Sequence, residues 1–326
     1  MSKKLLLVWA SMLILAIVAA VGATTYYSMV TMHGKRKLTV STTTSLYDTG
    51  LLNAIETEFE RKYPINLLLM RHGSGQAIEY AKRGDADIIL VHAPSSEKTF
   101  LIEGYGLCRK IIAYNFFVIV GPEEDPAKIE GLNATAAFKK IVNLNPKSVL
   151  WVSRGDESGT HVKEKELWSK AGFDWDKLKE ESWFMDSGVG MGTALLIANE
   201  KGAYTLSDIG TYLKYYKDGK ISLKPFIKEE IELLNVYSCV AVNPSRVSKA
   251  NFEDAITFIK FLVSDECQTL IENFQKETYG QSLFFPAVQL IKNQTEPISQ
   301  WIRQAAFLEG AECPPQYWGG HPELYD

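Results

Sequence analysis

Two long apolar segments constrain this fold more than any other feature. Residues 111–122 (IIAYNFFVIVGP) and 233–244 (LLNVYSCVAVNP) each read as a buried strand with Tyr near its middle and Pro at its end. Both exceed the usual strand length, so one lobe has no use for all of either. A chain that leaves one lobe along the first and returns along the second makes a two-strand hinge. A ligand would then sit in the cleft between the lobes. A single continuous sheet is the other arrangement that suits them. The length of 326 residues is right for two lobes of ordinary size.

The segments around the hinge alternate between strand and helix patterns. A strand at 38–40 runs into Thr42-Thr43-Thr44-Ser45, and a helix follows from about Thr49 with Leu52, Ile55 and Phe59 on its apolar side. Strands at 65–70 and 87–91 flank a turn at Gly73-Ser74-Gly75 and its helix. A second run of the same kind starts at Val149: strand, loop 153–159 and helix 160–171. Such β-α-β order predicts an α/β protein made of two doubly wound lobes. The expected boundaries are 38–114 with 239–290 for the first lobe and 115–238 for the second. Helices near 251–263 and 264–275, capped by Asn251 and Ser264, complete the first lobe. Residues 296–326 extend beyond this scheme with no role assigned.

The N-terminus points to export. Lys3 and Lys4 precede nineteen uncharged residues, 5–23, in the order of a signal peptide. The run is nearly long enough to cross a bilayer, so residues 1–23 read as a cleaved leader or a retained membrane anchor. Residues 24–37 would link it to an extracytoplasmic body. Cys108, Cys239, Cys267 and Cys313 include no C-x-x-C pair, and the five histidines lack metal spacing, so no metal site and no cofactor are expected. The net charge of −4, without a basic face, argues against a nucleic-acid partner.

Chemistry concentrates where loops meet helices. Thr42-Thr43-Thr44-Ser45, Gly73-Ser74-Gly75 and the segment 153–160 (SRGDESGT) all place small hydroxyl residues or Gly just before a helix. Helix N-termini carry unpaired N–H groups and the positive end of the dipole, so they hold anions. Any one of these loops alone is accounted for by capping. Three together, one carrying the fixed guanidinium fork of Arg154, favour a tetrahedral oxyanion. Gly188-Val-Gly190-Met-Gly192 offers a fourth close backbone approach. Tyr212, Tyr215 and Tyr216 read as packing.

These pieces carry a resemblance. TTTS at 42–45, DADIILVHAP at 85–94, SRGDESGTH at 153–161, GMG at 190–192 and YTLSD-GTYL across 204–213 resemble the substrate-binding proteins of ABC-type tungstate uptake systems. The resemblance spans about residues 38–288. It implies a hinged periplasmic-binding-protein fold of type II, with tungstate or molybdate held in the cleft and passed to an ABC permease. It also implies oxyanion contacts from Thr43, Thr44, Ser45, Arg154 and Thr160, with Ser74 and Ser158 as neighbours. The family usually carries Arg where this chain has Ile209; if that Arg helps fix the cleft charge, a different affinity or selectivity is expected here.

The residues favour an oxyanion without choosing one. Tungstate and molybdate are proton-free dianions near neutral pH and need only donors. Monoprotonated phosphate also needs an acceptor, and Asp156 is a candidate for that role. If Asp156 faces the ligand, a phosphate-binding protein of the same fold is the better reading; if it faces Arg154, a donor-only site stands. Two readings from other classes are a serine hydrolase using Ser158 and His161, and an adhesion tripeptide at 154–156. No G-x-S-x-G elbow supports the first, and the second places its tripeptide at the expected cleft.

Overall fold

The computed structural model describes residues 35–144 and 149–325, together with Ile17, Val21 and Gly22. Apart from those three residues, the expected leader or anchor lies outside the described residues, as does most of its linker. No helix among the described residues is long and apolar enough to cross a membrane.

The first lobe opens with β1 (Arg36–Thr43), a short α1 (Thr44–Asp48) and α2 (Leu51–Lys62), then β2 (Ile65–His72), α3 (Ser74–Arg83), β3 (Ile88–Val91) and α4 (Pro94–Ile102). Strand β4 (Gly106–Gly121) carries the chain into the second lobe. There follow α5 (Ala134–Asn143), β5 (Trp151–Ser153), α6 (Gly159–Lys170), β6 (Phe184–Asp186), α7 (Met191–Lys201), β7 (Tyr204–Asp208), α8 (Ile209–Lys217) and β8 (Lys224–Ile227). Strand β9 (Leu234–Val242) returns to the first lobe, which α9 (Phe252–Leu262) and α10 (Asp265–Asn273) complete. Asn251 and Ser264 cap these two helices, accepting the N–H groups of Asp254 and Cys267.

The strand order is β2-β1-β3-β9-β4-β7-β5-β6. Strands β1, β2 and β3 pair in parallel, and β9 runs antiparallel to both β3 and β4. The two arrangements expected of the long segments coexist. Residues 106–116 of β4 pair with β9, whereas Phe117–Val120 pair with β7, so one strand carries hydrogen bonding unbroken across both sheets. Among the described residues only β4 makes this crossing; β9 begins at Leu234, opposite Phe116, and stays in the first sheet.

Each sheet is buried on both faces, as its apolar strands require. In the first lobe Phe59, Phe258 and Phe261 pack on one face and Ala77, Phe100 and Leu101 on the other. In the second, Phe138, Trp151 and Trp168 fill one face and Ala194, Leu195 and Tyr212 the other.

The tail, unassigned from sequence, is part of the fold. Helix α11 (Ile298–Ala306) buries Ile302 and Ala306 against Ile111, Tyr114 and Val236 of the hinge strands. The Glu312 carboxylate takes Lys110 Nζ at 2.7 Å and the Ile111 N–H at 2.6 Å, and Tyr325 donates to the Arg109 carbonyl at 2.9 Å. A thirty-residue window shows none of this, because Glu312 and Tyr325 have these partners about 200 residues away.

Candidate functional site

Parallel strands deliver their C-terminal ends to one edge of each sheet, where helices begin. Here β1 ends at Thr43 as the cap of α1, β2 leads through Gly73 into α3, and β5 leads through Arg154 into α6. Gly190 and Asp208 cap α7 and α8 on the same side. These helix starts surround a cleft of about 640 Å³ whose wall includes Thr44, Ser45, Gly73, Arg154, Ser158 and Thr211.

Arg154 is the centre of the cleft wall. It is buried, and its Nε and Nη2 both lie 2.8 Å from Asp156 Oδ2. The Ser158 backbone N–H donates to the other Asp156 oxygen at 3.2 Å, and Arg154 Nη1 reaches Thr160 Oγ1 at 3.5 Å. Gly155 makes this turn possible. Its φ is +64°, and a Cβ there would fall 1.6 Å from Asp186 Oδ1, so only glycine fits. Glu164 holds the loop from beneath, accepting Trp151 Nε1–H at 2.6 Å and Ser153 Oγ–H at 2.9 Å. Burial pushes its carboxyl up to about 7 against those donors.

The residues expected from sequence divide into three groups. Thr44, Ser45, Arg154 and Ser158 line the cleft. Thr43 and Thr160 stand behind it: Thr43 Oγ1 accepts the Leu46 N–H and lies 3.3 Å from Ser45 Oγ, and Thr160 receives Arg154. Ser74 lines a second cavity of about 320 Å³ between the lobes, and its buried hydroxyl has no partner among the described residues. Sequence reasoning missed Arg71, Gln76, Thr211 and Lys214, which also line the cleft. Of the three tyrosines read as packing, Tyr212 is core, Tyr216 is exposed and Tyr215 lines the cleft.

Ile209 stands apart from the cleft wall. Its side chain lies in a separate small cavity with Phe116, Val118 and Tyr212. The hydrolase geometry is not assembled. Ser158 Oγ accepts the backbone N–H of His161, while His161 Nδ1 accepts the Glu157 N–H at 3.0 Å. The imidazole is thus engaged away from the Ser158 hydroxyl. Arg154 and Asp156 are turned toward each other in the cleft wall, so the tripeptide 154–156 offers no protruding adhesion loop.

The lobes meet around this cleft. A Cβ on Gly73 would lie 3.7 Å from the Glu157 carbonyl oxygen, and one on Gly210 would lie 3.0 Å from Thr49 Cγ2. Behind the cleft, Gly159 abuts the His92 ring, which stacks on Tyr237 at 5.0 Å. His92 Nδ1 lies 2.7 Å from Asn235 Oδ1, and Asn235 Nδ2 donates to Asn115 Oδ1 at 2.9 Å and Tyr237 Oη at 2.8 Å. The amide orientation makes His92 the donor, hence a neutral ring protonated on Nδ1.

Burial lowers the His92 pKa to about 4, outweighing the opposing Asn235 bond; Arg154 and Lys163 lower it further. The folded value lies below the unfolded value, so this histidine's stabilisation is complete above about pH 6.5 and fades as pH falls toward 4. The loss should total on the order of 3 kcal/mol. Denaturant titrations of wild type and His92→Gln between pH 7.5 and 4 should show a shallower decline in the variant. Parallel declines would assign the acid loss to other groups.

A fold of two hinged α/β lobes with helix N-termini around a buried arginine defines a ligand-binding protein for anions. Residues 21–266 match the PBP superfamily domain, and the chain belongs to that superfamily. The tungstate-binding protein TupA of Peptoclostridium acidaminophilum is 36% identical over 252 residues, covering 77% of this chain and 86% of the relative. The solved TupA from Desulfovibrio alaskensis G20 is 38% identical with a TM-score of 0.68, covering 77% of this chain and 98% of that one. The solved tungstate ABC transporter protein from Geobacter sulfurreducens is 37% identical with a TM-score of 0.64, over 73% and 98%. Within the superfamily, this chain belongs with the TupA-type binding proteins of ABC transporters.

Proposed function

We propose that this protein is an extracytoplasmic receptor that closes its two lobes over tungstate, with molybdate as the nearest competitor, and delivers the ion to an ABC permease. One observation carries the choice of ligand. Both Asp156 oxygens are already engaged, one by the Arg154 guanidinium and the other by the Ser158 N–H. Asp156 borders the cleft, but its carboxylate is turned to Arg154 and the Ser158 N–H, so it serves to orient the guanidinium ahead of accepting a phosphate hydroxyl. Apart from Asp156 and Asp48, each paired with an arginine, the polar groups toward the cleft are donors: the Arg154 guanidinium, the hydroxyls of Thr44, Ser45 and Ser158, and the helix N-termini. Thr43 and Thr160 position their neighbours, and Ser74 stands in the adjoining second cavity.

The energetics suit tight binding without chemistry. Hydrogen bonds to a charged group contribute ~1.5–3 kcal/mol each. Roughly six of them, less the ordering cost, reach the ~12 kcal/mol of a nanomolar complex. Closure follows as a population shift, because only the closed form brings donors of both lobes to one ion. The lobes would divide at the hinge near 114–117 and 234–239. An exported body agrees with the leader-like segment 1–23.

Calorimetric titration of the protein with tungstate, molybdate, sulfate and phosphate, singly and in competition, tests the reading. Submicromolar tungstate binding that excess phosphate cannot displace is the expected result. Tight phosphate binding with no response to tungstate would overturn it. Asp156→Asn sharpens the test: an amide donor facing the guanidinium should loosen Arg154 and weaken tungstate by about tenfold, roughly 1.4 kcal/mol. Under the phosphate reading, the same change would abolish phosphate binding.

A further inference from the structure

The ligand proposed above is a dianion, yet the chain carries a net charge of −4. At long range such a chain repels the ion it must capture, so a fast encounter needs a local field of the opposite sign. The outer wall of the cleft supplies one from both lobes. Arg71, at the end of β2, is held beside the Tyr47 ring at 5.3 Å and lies 3.4 Å from Asp48. Lys214, on α8 of the other lobe, is exposed at the same cleft and has no ion-pair or hydrogen-bond partner among the described residues. Its neighbour Tyr215 also lines the cleft, and Lys220 Nζ sits over the Tyr215 ring, 5.0 Å from its centroid.

The cleft of about 640 Å³ is several times larger than one tetrahedral oxyanion needs. Arg154 is buried in its wall, whereas Arg71 is 62% exposed. The cations therefore fall into two sets: a buried fork that grips and an exposed pair that attracts. We propose that Lys214 and Arg71 form a cationic mouth that steers the oxyanion into the cleft, with Lys214 the stronger contributor because Asp48 partly offsets Arg71. Placed on opposite lips, the two like charges also oppose closure of the empty cleft, and an arriving dianion relieves that repulsion. This inference rests on the oxyanion reading and adds to it the residues that set the capture rate.

The test separates attraction from grip. Association and dissociation rates for radiolabelled tungstate are measured by rapid filtration for wild type, Lys214→Gln, Arg71→Gln and the charge-conserving Lys214→Arg. One unit charge acting on a dianion at about 7 Å through water is worth roughly a fivefold change in rate when screening is weak. Lys214→Gln should thus associate about fivefold more slowly at ~10 mM ionic strength and less than twofold more slowly at ~500 mM, where the Debye length is short. Its dissociation rate should match wild type, Lys214→Arg should keep the wild-type rate, and Arg71→Gln should show a smaller effect. Equal association rates at low salt would overturn the proposal, as would a change confined to dissociation. Failure of wild type to bind tungstate would instead overturn the underlying reading of the site.

Discussion

Arg154→Ala is expected to lose about 3–4 kcal/mol of tungstate affinity, a weakening of roughly 150- to 800-fold. The guanidinium supplies a fork of charge-assisted donors that no neighbouring group replaces. Two consequences separate this from a general loss of structure. Asp156 keeps the Ser158 N–H and lies at the cleft, where solvent reaches it, so truncation does not strand a charge in the core. Glu164 continues to hold the loop through Trp151 and Ser153. The melting temperature should therefore change little while calorimetry registers the loss. Normal affinity in this variant would place the site elsewhere.

Gly159→Ala should act on closure instead of on donors. The residue opens α6 with no positive φ, so alanine suits the helix itself. Its methyl group, however, would lie 2.3 Å from His92 Cε1 and 2.5 Å from Nε2, on the other lobe. His92 cannot easily yield, because Asn235 and the Tyr237 ring fix it. Overpacking of this kind costs ~1–3 kcal/mol, and the penalty falls only on the state in which the lobes meet. Affinity should drop by about ten- to a hundredfold while the stability of the unliganded protein is kept. Small-angle scattering should show a ligand-dependent contraction in wild type that the variant reaches only at higher tungstate. Pairing it with His92→Ala should recover part of the affinity, the positive coupling expected of two groups in contact. Independent, additive effects of the two changes would rule out the clash as the cause.

The fold was largely legible before any coordinates. Periodicity places β1 to β3, the α2 stripe of Leu52, Ile55 and Phe59, and the caps Asn251 and Ser264 within a few residues of where they stand. Such signals are local: a strand's alternation and a helix cap each lie within one turn or one strand of sequence. The length of 111–122 likewise announced a strand shared by two lobes, and β4 is that strand. Its continuity through both sheets was harder to read, because pairing partners come from four other strands distant in sequence.

The candidate site was legible in part. Thr44, Ser45, Arg154 and Ser158 could be picked out because hydroxyls before a helix and an arginine among them share one short window. Arg71, Thr211 and Lys214 left no such mark, since each is an ordinary surface or first-turn residue until the lobes bring it to the cleft. Ile209 shows a further limit: a family motif fixes a residue's neighbours in sequence but not the direction of its side chain, which here lies outside the cleft wall. The tail was silent because its Glu312 and Tyr325 find their partners on β4.

By itself, the sequence determined the class of protein, its two-lobed α/β plan and the anionic character of its ligand, because hydrophobic period, helix starts and a fixed guanidinium charge are properties of short windows. The tertiary structure alone decided which way Asp156 faces. That orientation goes with the left-handed turn at Gly155, where Asp186 of another strand leaves no room for a side chain, and with Glu164 beneath the loop. A carboxylate two residues from an arginine can serve the ligand or the arginine equally well. Contacts made across the fold remove that freedom.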